Sequence, residues 1–324
     1  MTSTNLPFTV LLALTFVQCS NPVDADKAPA DWVALTARIN GLTQIVLVDY
    51  NDRSEYQIIT KNDHYNHTPN FSPDKNFLIY QDPTTGASHD DQLVLYDVRS
   101  KKITPLFLLP DHPLVGGRVV WKPDGTGIYY RVVDFFLHDI FCFDFSSGNR
   151  EKLTNTSDRA EWPVGFKGPD TLIVVSNDTA TTRQPWGFYF MDLKGNYLSR
   201  IDNPHLDLIN RDGINLKAVY NPDWSDEKGM FVCAASDSDH AGYRIAITNL
   251  DGSFYRIYTD GDFIDDNPAW GPEGQKVLFA RSAITDYNRF GARIMILDIN
   301  TGQIDNLVET SSIGGATASL EPDY

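Results

Sequence analysis

Short runs of apolar, β-branched and aromatic residues recur along the chain, each cut off by a cluster of turn-forming residues. FLIY (77–80), GIYY (127–130), LIVV (172–175), MFVC (230–233) and VLFA (277–280) all stand a few residues after a Pro-Asp, Pro-Glu or Ser-Asp turn. In such turns Pro presets φ, Asp bonds nearby amides and Gly takes φ > 0. After a variable loop comes a second set of runs, QLVLYDV, IFCFDF, GFYFMDL, RIAITNL and RIMILDI, each closed by a tight turn such as SSGN, LKGN, LDGS or NTGQ. The pattern predicts repeating units of four short antiparallel strands.

The units share a phrase. It reads TPNFSPDKNFLIYQD from Thr68, RVVWKPDGTGIYYR from Arg118, WPVGFKGPDTLIVVSND from Trp162, NPDWSDEKGMFVCAAS from Asn221 and NPAWGPEGQKVLFARS from Asn267, then breaks off as TASLEPDY at Thr317–Tyr324. The large apolar residue (Phe71, Trp121, Phe166, Trp224, Trp270, Leu320) returns every 45 to 58 residues, the period of propeller blades. Residues 31–60 hold WVALTAR, QIVLVDY and EYQIIT, which match a blade's second, third and fourth strands, so TASLEPDY supplies the missing first. The expected fold is all-β: a six-bladed β-propeller over residues 32–324, closed by pairing Ala318–Leu320 beside Val33–Ala37. Trp121, Trp224 and Trp270 are expected as anchors between neighbouring sheets.

Composition narrows the partners. Hydrophobic residues make up 42% and aromatic ones 12%, enough for a packed β core. A net charge of −16 repels phosphate backbones and argues against nucleic acid. The apolar run Leu6–Val17 is too short to span a bilayer but suits a signal-peptide core. With TFVQC it resembles a lipoprotein processing site, so residues 1–19 are expected as signal peptide, Cys19 as the lipid attachment point and residues 20–31 as linker. Cys142 and Cys233 fall on non-adjacent blades and are expected as buried fillers.

NPAWGPEGQKVLFARS, NPDWSDEKG and TPNFSPDKNFLIYQD resemble the TolB-like β-propeller repeat, Pro-x-Trp-Ser-Pro-Asp-Gly followed by a strand. The likeness runs over residues 32–324. Only Ser20–Ala30 separate Cys19 from the first strand, so the separate α/β domain of TolB proper is expected to be lacking. The resemblance implies a propeller of a kind that docks proteins at the cell envelope. It equally covers oligogalacturonate lyases, which bind a divalent metal through several His and a Gln. No G-x-S-x-G elbow is present, which removes a serine-peptidase reading.

Strand alternation puts the long loops on one face, and all seven histidines are assigned there. The candidate ligand-binding set is His64, His67, His89, His112, His138, His240, Arg38, Arg183, Arg281 and Trp186. Imidazoles could ligate or act as bases, guanidiniums hold carboxylates, and Trp186 stack on a sugar or peptide. Arg289 and Arg293 belong to the same cationic group. In DHYNH, the H-x-x-H spacing makes Asp63, His64 and His67 a candidate metal set; no other cofactor is indicated. The expected function is a non-catalytic, exported scaffold, periplasmic or held at the outer membrane by lipid, monomeric, and docking a protein or glycan. The alternative is a metal-assisted lyase or hydrolase acting on an acidic polysaccharide.

Overall fold

A computed structural model describes residues 32–323 except 52–54, 84–90, 108–113, 135–136, 157–158, 179–186, 207–217, 237–241, 261, 272–273, 285–292 and 310–318. Every regular element within it is a strand. The first sheet holds β1 (Trp32–Ile39), β2 (Leu42–Asp49) and β3 (Tyr56–Ile58), with the C-terminal β24 (Ser319–Asp323) in the order β24-β1-β2-β3. The second runs β4 (His67–Phe71), β5 (Phe77–Pro83), β6 (Asp91–Asp97), β7 (Ile103–Phe107). The last two are β16 (Ala218–Ser225), β17 (Met230–Ser236), β18 (Arg244–Asn249), β19 (Tyr255–Ile257), and β20 (Phe263–Trp270), β21 (Lys276–Ala283), β22 (Arg293–Asp298), β23 (Ile304–Glu309).

The strands between them correct the expectation of six separate blades. Among the described residues there are four four-stranded blades, and the remaining described strands form a single eight-stranded sheet. It contains β8 (Leu114–Trp121), β9 (Gly127–Asp134), β10 (Leu137–Asp144), β11 (Arg150–Lys152), β12 (Arg159–Lys167), β13 (Thr171–Asp178), β14 (Gly187–Asp192) and β15 (Tyr197–Arg200). The join is one parallel pairing of β10 with β12, His138 opposite Ala160. A periodic sequence marks repeat units, but a hydrogen bond between neighbouring units depends on how closely their strand ends approach.

The core lies between sheets. Ala34, Leu47, Phe71, Leu78 and Tyr80 pack the first sheet on the second, while Val33, Val46, Leu278 and Ile294 pack the first on the last. The two halves of the eight-stranded sheet face each other across Tyr129, Ile140, Phe166, Leu172, Val174 and Met191. Because a sheet is covered on both sides, β1 is buried through five consecutive residues, which is why its sequence shows no polar alternation. Cys233 is fully buried and Cys142 packs at the edge of its core, both as free thiols.

β24 pairs antiparallel to β1, with Ala34 opposite Asp323, Leu35 opposite Pro322 and Ala37 opposite Ser319. The innermost strands touch in the cycle β24, β4, β8, β12, β16, β20 and back to β24, and therefore surround a central axis. Local devices repeat around it. Thr60, Thr154 and Thr259 each accept a backbone N–H from the third strand of their unit, from Ile45, Ile140 and Ile245. Asp144, Asp192 and Asp298 close the tight turns after β10, β14 and β22; bonds from the side chains of Ser146, Asn196 and Lys276, and then from turn amides, hold their carboxyls below the usual range.

Candidate functional site: the central axis and its rim

The repeated phrase does something at the axis that its turn chemistry does not reveal. The residue in front of the repeat proline is left-handed in three inner strands: Thr68 (φ 51°), Asn221 (φ 46°) and Asn267 (φ 51°). Gly117 (φ 73°) takes that place in β8, where Arg118 replaces the proline. Each position coincides with a slip in strand register. A left-handed backbone is strained for a β-branched residue such as Thr68, and such strain marks a place the surrounding fold over-determines.

The bulges leave backbone carbonyls for side chains to meet. Arg118 of β8 donates from Nη1 to Pro268 O at 3.1 Å and from Nη2 to Asn267 O at 3.4 Å, both on β20. In the cycle of inner strands β8 and β20 lie opposite each other, so this one guanidinium spans the axis. Asp223 of β16 stands 4.0 Å from Arg118 Nη1. Its carboxylate accepts Trp270 N–H at 2.7 Å and Trp224 N–H at 3.0 Å. Asn221 donates to Asp266 Oδ1 and Asn267 Oδ1 at 2.9 and 2.6 Å, and Gln81 donates to Gly117 O at 2.7 Å. Burial pushes Asp223 above the usual carboxylate range, against the opposing pull of Arg118 and the two amides.

An expected result follows. Arg118→Ala should cost about 2 to 3 kcal/mol, less than a fully buried pair would, since the two side chains keep 21% and 24% of their surface exposed. With Arg118 gone, the Asp223 carboxyl should rise further. A raised folded-state value means the native protein holds a proton that the unfolded chain has released, so stability falls as pH rises through that value. Urea unfolding at pH 5 and pH 7 should show the variant recovering part of its loss at pH 5. Equal losses at both values would disconnect Asp223 from Arg118.

Around the axis two of the predicted residues, His64 and Arg281, are held by carboxylates. His64 Nδ1 lies 2.6 Å from Asp82 Oδ1, and its Nε2 lies 3.4 Å from Asp63. The His64 loop is tied down by Gln44, which donates to His64 O, and by Asn66, which donates to Asn62 Oδ1. His67 begins β4, and burial lowers its affinity for a proton. Asp63 and His64 thus meet at the surface, and among the described residues no group of three His, Cys, Asp or Glu side chains is placed to hold a metal. His138 is pushed down to about 4 by burial and by nearby Arg131, whose guanidinium lies over the Trp162 ring at 5.5 Å. Arg281 grips fully buried Asp265 with two bonds of 2.7 and 2.8 Å and lies over the Phe263 and Phe279 rings. Arg38 donates to Gly41 O across the β1–β2 hairpin, and Arg293 sits opposite Arg281 in the β21–β22 ladder.

One histidine leaves the expected face. His205 stacks flat on Tyr255 at 4.0 Å, beside the short β18–β19 turn, because Asn203 draws the chain after β15 onto Asn249 O. His89, His112, His240, Arg183, Arg289, Trp186 and Cys19 lie outside the described residues. Arg118 and Asp223 were not singled out as site residues. The available signal was within the phrase itself: Arg118 stands where other copies carry proline, and Asp223 follows Asn221-Pro222.

No protein-family model matches the chain, and no curated protein matches it in sequence. Its fold is similar to solved structures. TolB from Acinetobacter baumannii superposes with a TM-score of 0.68 at 15% identity over 92% of this chain and 67% of that one. A putative TolB from Agrobacterium tumefaciens gives 0.62 at 15% identity, covering 90% and 97%. A chain of a nidogen/laminin complex gives 0.60 at 10% identity, also covering 90% and 97%. The chain therefore has a TolB-like β-propeller fold.

Proposed function

We propose that this protein is a non-catalytic binding scaffold of the cell envelope whose long-loop face docks a protein partner. The reading is carried by His64 and Arg281, which are engaged by carboxylates of the fold, and by His138, whose ring is half-buried. His64 is held by Asp82, Arg281 is spent on Asp265, and His138 is kept neutral. Such pairing gives a preorganised recognition surface, since side chains already fixed lose little entropy on binding. The Arg118 bridge adds rigidity beneath the rim. The TolB-like fold supports the same reading, and the apolar run Leu6–Val17 followed by Cys19 supports export with a lipid anchor.

Site-specific photo-crosslinking in the native host tests it. A crosslinking residue at Trp186 should capture one defined protein, with and without EDTA, whereas the same residue at exposed Leu198 on β15 should capture none. The protein recovered from the host should itself begin at an acylated Cys19 by mass spectrometry. Cleavage of an acidic polysaccharide by the purified protein, abolished by EDTA and by the His64→Ala, His67→Ala double variant, would replace the scaffold with a metal-assisted lyase.

A further inference from the structure

Outer strands of sheets expose a row of unpaired N–H and C=O groups, and proteins commonly blunt them with charge or proline. Five of the six described outer strands follow this rule. Pro105 stands in β7, Arg150, Glu151 and Lys152 make up β11, Arg200 ends β15, Arg256 is central in β19, and β23 carries Asp305 and Glu309. The exception is β3, Tyr56-Gln57-Ile58, which has neither.

Which of its groups face outward can be read from the ladder, and among the described residues no further strand pairs there. Asp49 N–H bonds Glu55 O and Ile59 N–H bonds Ile45 O, with Leu47 opposite Gln57 between them. Hydrogen-bonded positions alternate along an antiparallel strand, so the N–H and C=O groups of Tyr56 and Ile58 face away from β2.

What lies beyond that edge also differs from three other described junctions. After β11, the β14–β15 turn presses so close that a Cβ on Gly195 would come within 2.2 Å of Leu153 O. After β15, Asn203 donates to Asn249 O and Thr248 Oγ1 at the end of β18. After β19, Tyr258 donates to Ile299 O just past β22. In each case the following unit clamps the residue after the outer strand. After β3 there is instead a groove of about 930 Å³, lined by the continuous segment Tyr56–Asn62 on one wall and by Lys101 and Ile103 on the other. Tyr56 and Ile103 are 38% and 47% exposed, giving each wall an apolar contact. The groove's two lysines, Lys61 and Lys101, are set against one carboxylate, Asp82, which is already engaged by His64. In a chain of net charge −16 this is a locally cationic trough.

We infer that the edge of β3 is a second docking site, taking an extended acidic peptide of a partner protein as an added strand of the first sheet. The peptide backbone pairs with Tyr56 and Ile58, alternate side chains rest on Tyr56 and Ile103, and its carboxylates meet Lys61 and Lys101. The site is on the perimeter and does not depend on the long-loop face.

Selection of displayed random peptides on the full chain tests it. Enriched sequences should be acidic with alternating apolar residues, and bound peptide should slow hydrogen exchange at the Tyr56 and Ile58 amides. Affinity should fall about tenfold or more in Ile58→Pro, which removes an outward N–H. It should fall similarly in the Lys61→Glu, Lys101→Glu double variant, which leaves the backbone intact should the proline disturb folding. Synthetic copies of the peptides N-methylated at alternate amides should not bind. A selection that enriches nothing, or peptides indifferent to both variants, would overturn the inference.

Discussion

Deletion of residues 317–324 should remove most of the protein's stability, lowering the urea midpoint by the equivalent of about 5 kcal/mol or more, a large share of what holds a domain folded. The segment contributes β24, which pairs along β1 and stands between β4 and β20 in the ring of inner strands. Its loss exposes the edge of β1 beside the core formed by Val33, Val46, Leu278 and Ile294. The opened sheet edge should also pair between molecules, so the truncated chain should associate on storage. Size-exclusion chromatography alongside urea titration measures both effects. A truncated chain with the parent's midpoint would mean that the ring does not need this strand.

Trp224→Ala should be the most damaging single substitution considered, costing about 4 kcal/mol as a large-to-small change in a packed core. The indole packs on Phe231 at 4.7 Å between ring centroids, and its N–H reaches across to Phe166 O at 2.7 Å. The fit is close: a Cβ on Gly165 would sit 2.9 Å from Trp224 Cβ, so no side chain can replace that glycine without moving the tryptophan. Trp224→Phe keeps much of the ring volume but strands Phe166 O, and should cost about 1 to 3 kcal/mol. Denaturant titrations of both, with Leu198→Ala as an exposed control, decide the matter. Equal midpoints for Trp224→Ala and the control would show that the tryptophan is not an anchor. Trp121 uses the same device, its N–H donating to Asn70 O at 3.3 Å, whereas the indole N–H of Trp270, at the same place in its phrase, is buried without such a partner.

The anchoring place of these tryptophans was legible in advance because a large apolar residue recurs at a fixed position in each phrase, but the N–H bonds of Trp121 and Trp224 were not. The candidate site was less legible. His64 looked like half of an H-x-x-H ligand pair, yet its ring is oriented by Asp82, which lies eighteen residues on in another strand. Arg281 looked available to a carboxylate ligand, yet Asp265, on the neighbouring strand, already fills that role. Arg281 meets its partner through strand pairing and His64 through the packing of its loop against β5, neither of which short-range spacing encodes.

The sequence by itself determined the all-β repeat, the aromatic anchors, the tight turns and the C-terminal phrase that lies beside β1. These follow from period, turn chemistry and burial pattern, all of which act over a few residues. Only the tertiary structure decided that β10 meets β12 in one eight-stranded sheet, that Arg118 spans the axis to β20, and that a groove lies beside β3 where the junctions after β11, β15 and β19 are clamped. Each of these depends on the distance between segments far apart in the chain, and that distance is set by the packing of whole sheets on one another.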